Sequence, residues 1–255
     1  MSRMQRLFMN YGQPLLICDS ADFDGTNDYM TRGAGLDGAA DSKTGILSMW
    51  VRLDGGTGAQ QFAANATTLA GGTIRWASSW NTGSGPFEVV GFNAAASQIL
   101  ALPTSTSFTA DGVWRHWLCS WDLANAAAHS YINDVSDIGS TTLTDDSVDY
   151  TVADFSIGAR ANAGLKTNGC FAEFYFAPGQ YLDFSNVYQR RKFISSSGKP
   201  VYLGAAGASP TGTAPIVYQR VADAAAVATF ATNLGTGGNF TITGTLATGS
   251  TSPSD

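Results

Sequence analysis

Charge is scarce in this chain. Asp, Glu, Lys and Arg make up 13% of its 255 residues, about half the share usual for a globular protein. Glutamate is almost missing: Glu88 and Glu173 are the only two among twenty acidic residues. Aspartate suits turns and glutamate suits helices, so this imbalance argues against a helical protein and for a turn-rich β protein. Basic residues number fourteen, the net charge is −6 and the pI is about 4.7. A nucleic-acid binder usually shows a basic face, and the fourteen basic residues here are scattered. The single basic cluster, Arg190-Arg191-Lys192, reads as a solvated helix face or a partner contact. No stretch approaches the roughly twenty apolar residues of a membrane span, and the first twenty residues lack the order of a signal peptide. Cysteine is limited to Cys18, Cys119 and Cys170, each in apolar or aromatic surroundings. An odd number without paired spacing is neither a disulfide framework nor a zinc site. Buried free thiols and folding in a reducing cytoplasm are the expectation.

What is abundant is glycine, at 29 residues, together with short alternating segments. Leu47, Met49, Val51 and Leu53 point one way while Ser48, Trp50 and Arg52 point the other, the two-residue period of a strand. The spacing predicts strands at 21–24, 28–32, 46–53, 61–65, 73–80, 86–93, 97–102, 114–122, 128–133, 137–142, 152–158 and 169–177. Asp54-Gly55-Gly56, Gly71-Gly72, Asp111-Gly112 and Asn168-Gly169 are among the turns between them. Short strands at this interval mean an antiparallel sandwich or barrel. In 114–122, Trp114, His116, Leu118 and Ser120 share one face and Arg115, Trp117, Cys119 and Trp121 the other. Both faces are largely apolar, so this strand is expected to be central and covered on both sides.

Three pairs of stretches carry a family resemblance. They are Phe23-Asp24-Gly25-Thr26-Asn27-Asp28-Tyr29 with Ser48-Met49-Trp50-Val51-Arg52, then Trp114 to Asp122 with Tyr131-Ile132-Asn133-Asp134, then Phe155-Ser156-Ile157-Gly158 with Gly169 to Phe176. Together they resemble concanavalin A-like, laminin-G-like domains over residues 21–180. The resemblance implies an all-β fold, an antiparallel β-sandwich of concanavalin A-like jelly-roll type. Around it the sequence suggests an N-terminal arm at 1–20 and a C-terminal helix-plus-strand extension at 181–255 packing on the sandwich. In the extension a helix is predicted within 182–195, with strands at 200–204, 216–220, 228–231 and near 239–244. Met4, Leu7, Phe8, Met9 and Tyr11 of the arm need a covering surface, on their own domain or at a subunit contact.

The blocks Gly198-Lys199-Pro200-Val201-Tyr202-Leu203-Gly204 and Asn233 to Gly244 resemble those that close laminin-G-like domains of bacteriophage virion proteins. This implies a non-enzymatic structural and adhesive part of a virion, in capsid decoration, tail or fibre. It would be made in the bacterial host cytoplasm, with other virion proteins and copies of itself as partners, and with neither nucleic acid nor membrane. The alternative is a lectin module that recognises a host surface polysaccharide.

A third reading, a glycan-cleaving enzyme, meets an obstacle. Glycoside hydrolysis needs two carboxylates flanking the bond, and the family's Glu-x-Asp-x-x-Glu strand is missing. His116 and His129 follow no nucleophile elbow and read as structural. The run Gly235 to Gly238 lacks the lysine and helix of a phosphate loop and reads as a turn. For sugar binding, Trp76 and Trp80 share a strand face, with Asn81 and Asn93 nearby in sequence. They either stack on a pyranose or belong to a core or subunit face, and the usual burial of large aromatics favours the second. Sandwich lectins and laminin-G domains often hold calcium in loops. Asp24, Asn27 and Asp28, or Asp145, Asp146 and Asp149, supply suitable oxygens, although such residues at β corners mostly form turns. No other cofactor is expected.

Overall fold

The computed structural model describes residues 8–10, 13–16, 18–56, 58–67, 72–160, 162–221 and 224–255. A short hairpin comes first, β1 (Phe8–Asn10) with β2 (Gln13–Leu15). The first seven residues of the expected N-terminal arm lie outside the described residues. Then follow β3 (Ala21–Asp24), β4 (Tyr29–Arg32), β5 (Thr44–Leu53), β6 (Gln60–Ala66), β7 (Ile74–Trp80), β8 (Pro86–Phe92), β9 (Gln98–Ser107), β10 (Trp114–Asp122), β11 (Ala127–Ile132), β12 (Val135–Ser136), β13 (Thr142–Leu143), β14 (Asp154–Ile157) and β15 (Asn168–Pro178). After residue 180 come the one-turn helix α1 (Val187–Arg190), β16 (Val217–Gln219), a 3₁₀ segment at Ala224–Ala231, β17 (Thr241–Thr243) and β18 (Ala247–Thr248).

The strands build two antiparallel sheets. One runs β12-β11-β10-β5-β15-β3-β18, with β16 on β15; the other runs β13-β9-β8-β7-β6-β14-β4-β17. Between them lies the main core, where Phe62, Trp76, Trp80, Phe87, Trp117, Trp121, Phe155, Phe171 and Phe176 interlock. Ring centroids 4.1–6.2 Å apart at mixed angles (Trp76–Phe176, Phe62–Phe87, Phe62–Trp117) mark dense aromatic packing. Gly158 of the Phe-Ser-Ile-Gly block is required where it stands. Its φ is +82°, and a Cβ there would meet the Phe23 ring at 2.4 Å.

The first sheet is covered on its outer face too. Leu118, Ile46 and Tyr175 pack under Phe184, Phe193, Leu203 and Tyr218; Trp50 and Ala172 pack under Leu16, Cys18 and Ile194. This is why β10 is apolar on both faces. Chain segments after residue 180 cover this sheet, and they also extend both sheets through β16, β17 and β18. Among the described residues the second sheet carries no such layer, so its outer face is the open one there.

Several local expectations change. The predicted 182–195 helix shrinks to four residues: Asn186 caps its start, and the carbonyls of Phe184 and Ser185 just before the cap are taken by the Arg190 guanidinium. The strand expected at 228–231 is 3₁₀, in an alanine-rich run that suits helical turns. The 137–142 strand is instead a crossover between sheets. Asp137 clamps it by accepting from Ser105 N, Ser105 Oγ and Thr106 N of β9 at 2.7, 2.6 and 2.9 Å. Arg190 and Arg191 are not a free basic edge, because both pair with Asp134 at 2.6 and 2.7 Å, and Lys192 donates to Pro210 O.

Cys18, Cys119 and Cys170 are free and buried. Burial pushes all three thiols well above the ordinary range. In native buffer a thiol reagent should therefore label none of them, and in denaturant all three. Fast labelling of the native protein, or an intramolecular disulfide found by mass spectrometry, would contradict this.

Candidate functional site

Strand β8 shows how the open face becomes a site. Its burial alternates strictly: Phe87, Val89 and Gly91 go to the core, while Glu88, Val90 and Phe92 stand half-buried on the outside. Its neighbour β7 pairs Ser79 with Glu88 and Ala77 with Val90. The loop after β14 forms the wall, held by Arg160 N donating to Gly164 O and Gln61 N to Leu165 O, both at 2.8 Å. The result is a trough of two adjoining hollows, each of about 240 Å³. One is lined by Gln61, Ser79, Asn81, Glu88, Val90 and Leu165, among others. The other includes Ala66, Thr73, Ala96 and Asn162. Ile74, Phe92 and Arg160 line both and mark their junction.

The trough keeps polar groups without protein partners. The Glu88 carboxylate makes no hydrogen bond or ion pair among the described residues, and burial raises its pKa above the usual carboxyl value. Arg160 is exposed and equally unpaired. The side chains of Ser79 and Asn81 are free as well. A concave surface with a half-buried aromatic, aliphatic walls and a few unsatisfied polar groups has the makings of a small-ligand site.

Of the four residues nominated for sugar, the structure brings only Asn81 to this trough. Trp76 and Trp80 correct the stacking expectation: both are 0% exposed and point into the core. Trp80 Nε1 donates to Phe108 O at 3.1 Å, and Trp76 stacks on Phe176. The reason is parity, since 76, 78 and 80 face inward while 77 and 79 face the trough. Asn93 is tied into a turn, donating to Asp146 Oδ2 at 2.8 Å and accepting from Ser97 N at 2.9 Å. Sequence reasoning missed Glu88, Phe92 and Arg160 as trough residues. The alternation of Phe87-Glu88-Val89-Val90-Gly91-Phe92 held the signal for the first two; nothing local held it for Arg160.

The oxygens nominated for calcium act as turn formers. Asp24 Oδ1 accepts from the backbone N–H groups of Thr26, Asn27 and Asp28 at 2.7, 2.9 and 3.3 Å. Its slight desolvation raises its pKa, but these bonds outweigh that and hold it below the usual range. Asp28 is buried and accepts from Thr245 N at 2.7 Å. Asp145 pairs with Lys43 and Asp149 with Arg75, while Asp146 binds Asn93. These three do not converge; among the described residues the one His/Cys/Asp/Glu group within 4.8 Å is Asp22, Asp54 and Cys170. There Arg52 already donates to both oxygens of Asp54 at 2.7 Å, which supplies the positive charge a cation would bring.

His129 is part-buried, its Nε2 3.2 Å from Asp183 Oδ1 and 3.3 Å from Tyr181 OH, while His116 is structural in setting. His116 Nε2 lies 2.9 Å from Ser48 Oγ, but both residues are buried and His116 Nδ1 has no partner to orient it. Burial drives its pKa down to about 3. A triad needs an exposed nucleophile and an oriented base, and this pair offers neither. The two glutamates are no dyad either. Glu88 stands on the outer face of one sheet and Glu173 in a strand of the other, packed on its outer side against Tyr218 and Arg220. Two layers about 10 Å apart separate them, beyond the roughly 5–9.5 Å that hydrolysis requires.

Comparison with known proteins places this architecture. No curated protein matches the chain. Among solved structures it is similar to a Bacteroides ovatus protein provisionally described as carbohydrate-binding, at 11% identity and TM-score 0.56, covering 92% of this chain and 60% of the other. The chain thus spans three-fifths of that protein's length. It is also similar to the heptameric SAP-like pentraxin of Limulus polyphemus, at 11% identity and TM-score 0.47, covering 66% and 78%. A third similarity is to domains LG4-5 of the mouse laminin alpha1 chain, at 12% identity and TM-score 0.44, covering 71% and 47%. At such identities the likeness speaks for the fold alone. The profile of the laminin-G-type group of the concanavalin A-like lectin/glucanases superfamily matches residues 24–178, more than half of the chain and the whole run from β4 to β15. With two antiparallel sheets closed over one aromatic core, the chain belongs to the concanavalin A-like lectin/glucanases superfamily.

Proposed function

We propose that this chain is a non-enzymatic glycan-binding module whose ligand lies in the trough of the open sheet. The observation that carries this reading is Glu88, a half-buried carboxylate with no partner in its own chain, set beside Phe92 and Asn81. A half-buried carboxylate without a protein partner keeps its acceptor capacity open to the trough, and sugar hydroxyls are donors of the right kind. The Phe92 ring offers an apolar surface for a pyranose face, and Asn81 offers both donor and acceptor. The carbohydrate-binding description of the Bacteroides ovatus protein supports the same reading.

A glycan array with the purified protein tests it. The expected result is binding to a subset of glycans, weakened about tenfold or more by Glu88→Gln, the scale of a charged hydrogen bond, and by Phe92→Ala. Melting temperatures should stay close to the parent's, because neither side chain is in the core. Silence across the array would overturn the reading. The same protein should release no reducing sugar from common polysaccharides. Release that Glu88→Gln abolishes would make it a hydrolase instead.

The carrier of such a module is a separate matter. The blocks Gly198–Gly204 and Asn233–Gly244 resemble those of bacteriophage virion proteins, and this supports a place on the surface of a phage particle, in decoration, tail or fibre. There the module would meet host polysaccharide, assembled with other virion proteins or with copies of itself. Antibody labelling of purified particles, absent from the particles if the reading is wrong, tests it directly.

A further inference from the structure

Arginine pairing sets one side chain apart. Eight arginines lie among the described residues. Seven hold a carboxylate of their own chain: Arg32, Arg52, Arg75, Arg115, Arg190, Arg191 and Arg220. Arg160 alone holds none. The chain carries twenty acidic residues against fourteen basic ones, so carboxylates are in surplus, and an arginine left without one is a departure from the rule this molecule otherwise follows. Its position is equally particular. Arg160 stands where the two hollows of the trough meet, beside Phe92, and lines both. It shares one hollow with Glu88, yet the two form no ion pair. The trough therefore presents one free cation at its junction and one free anion in one of its two halves.

A guanidinium is a planar fork that matches a carboxylate with two parallel hydrogen bonds. A ligand carboxylate at Arg160 would sit over the junction. Glu88 would repel a second carboxylate in its own hollow and accept hydroxyl or amide donors there instead. Two hollows with one shared ridge suit two linked units better than one. Resting on the glycan reading above, we propose that the ligand is an acidic oligosaccharide that joins a carboxylate-bearing sugar to a neutral one, the acid on Arg160 and the neutral unit against Glu88 and Asn81.

Titration calorimetry of the purified chain tests this with four defined probes. They are a tetrasaccharide alternating glucuronic acid with N-acetylglucosamine, a tetramer of galacturonic acid, a neutral tetramer of N-acetylglucosamine, and 3′-sialyllactose, which carries its carboxylate on a terminal sugar. The alternating probe should bind at least about tenfold tighter than the neutral tetramer and the polyacid. Arg160→Gln should remove that advantage, and Arg160→Lys should restore part of it, keeping the charge but losing the fork. Arg160→Gln should melt with the parent protein, since the Arg160 side chain is exposed and holds nothing, and its backbone bonds to Gly164 and Ala163 stay. Arg160-dependent binding of sialyllactose supports the acidic class with a different source of the carboxylate. If the neutral tetramer binds as tightly as the alternating one, or if Arg160→Gln changes nothing, the acidic-ligand inference falls while glycan binding stands. If no probe binds and the array is silent too, both fall.

Discussion

Replacing Arg220 with methionine is expected to lower stability by about 3–5 kcal/mol at pH 8, the usual cost of removing one partner from a buried ion pair. In a domain of this size that is a fall of about 6–20 °C in melting temperature. The cause lies in β15. Glu173 sits at φ +48° in a bulge, where the register against β5 shifts between Ala172 and Tyr175. At this point β15 changes neighbour, from β3 at residues 168–171 to β16 at 174–176. The bulge leaves the Glu173 side chain buried under the C-terminal segment. Its Oε2 accepts from Tyr218 OH at 2.6 Å, and its Oε1 lies 3.6 Å from Arg220 Nε. Without Arg220 the carboxylate is buried with one hydroxyl for company.

Proton uptake gives this prediction a second reading. Burial raises the Glu173 pKa from 4.5 to about 7, more than Arg220 and Tyr218 pull it down. The folded chain thus takes up a proton that the unfolded chain does not, as pH falls from about 7 to 4.5. The stability from this group is complete below pH 4.5 and is lost as pH rises through about 7. His116 works in the opposite sense, since burial drives its pKa down to about 3 and acid then favours the unfolded chain. The two trends oppose each other in the parent protein, so the informative quantity is a difference. Measured against Glu173→Gln, the parent should gain stability from pH 8 to pH 5, by ~3 kcal/mol on the scale of the shift. The penalty of Arg220→Met should shrink over the same interval, because the orphaned carboxyl then carries a proton. A difference that is flat with pH would refute the assignment.

Trp76→Ala should cost about 3–5 kcal/mol, as truncation of a fully buried aromatic does. Trp76 is 0% exposed, its ring 4.1 Å from that of Phe176 and nearly parallel to that of Phe155. Deleting it opens a cavity where the two sheets meet. Trp76→Phe should cost much less, since the indole N–H has no partner to lose. Chemical denaturation of the pair checks both. This comparison also separates core from ligand site: Trp76→Phe should leave glycan binding intact, whereas a stacking residue would lose it.

Much of the fold was legible because a strand's two-residue period is written locally. Predicted strands at 21–24, 46–53, 114–122 and 169–177 coincide with β3, β5, β10 and β15 to within two residues at either end. The apolar double face of β10 announced a covered sheet before any cover was visible. Less legible were segments whose state depends on distant partners. The crossover at Asp137 exists because β9 offers it three donors. The Arg190–Arg191 pair is quiet because Asp134, more than fifty residues away, neutralises it.

The sequence by itself determined that this is an antiparallel sandwich with free, buried thiols and without a hydrolytic carboxylate strand. The choice of a sandwich over a barrel rests on the family resemblance; the other conclusions rest on composition, period and the absence of motifs, all of which are local. The tertiary structure alone decided which sheet face is open, and hence which side chains a ligand can meet. Trp76 and Trp80 share a face in either reading of β7, and although the usual burial of large aromatics favours the core, the strand itself does not say what its opposite face, with Ala77 and Ser79, meets. The answer comes from the layer that covers one sheet and not the other. Arg160 depends on this even more. Its lack of a partner and its place at the junction of two hollows are properties of everything folded around it, and no window of sequence holds them.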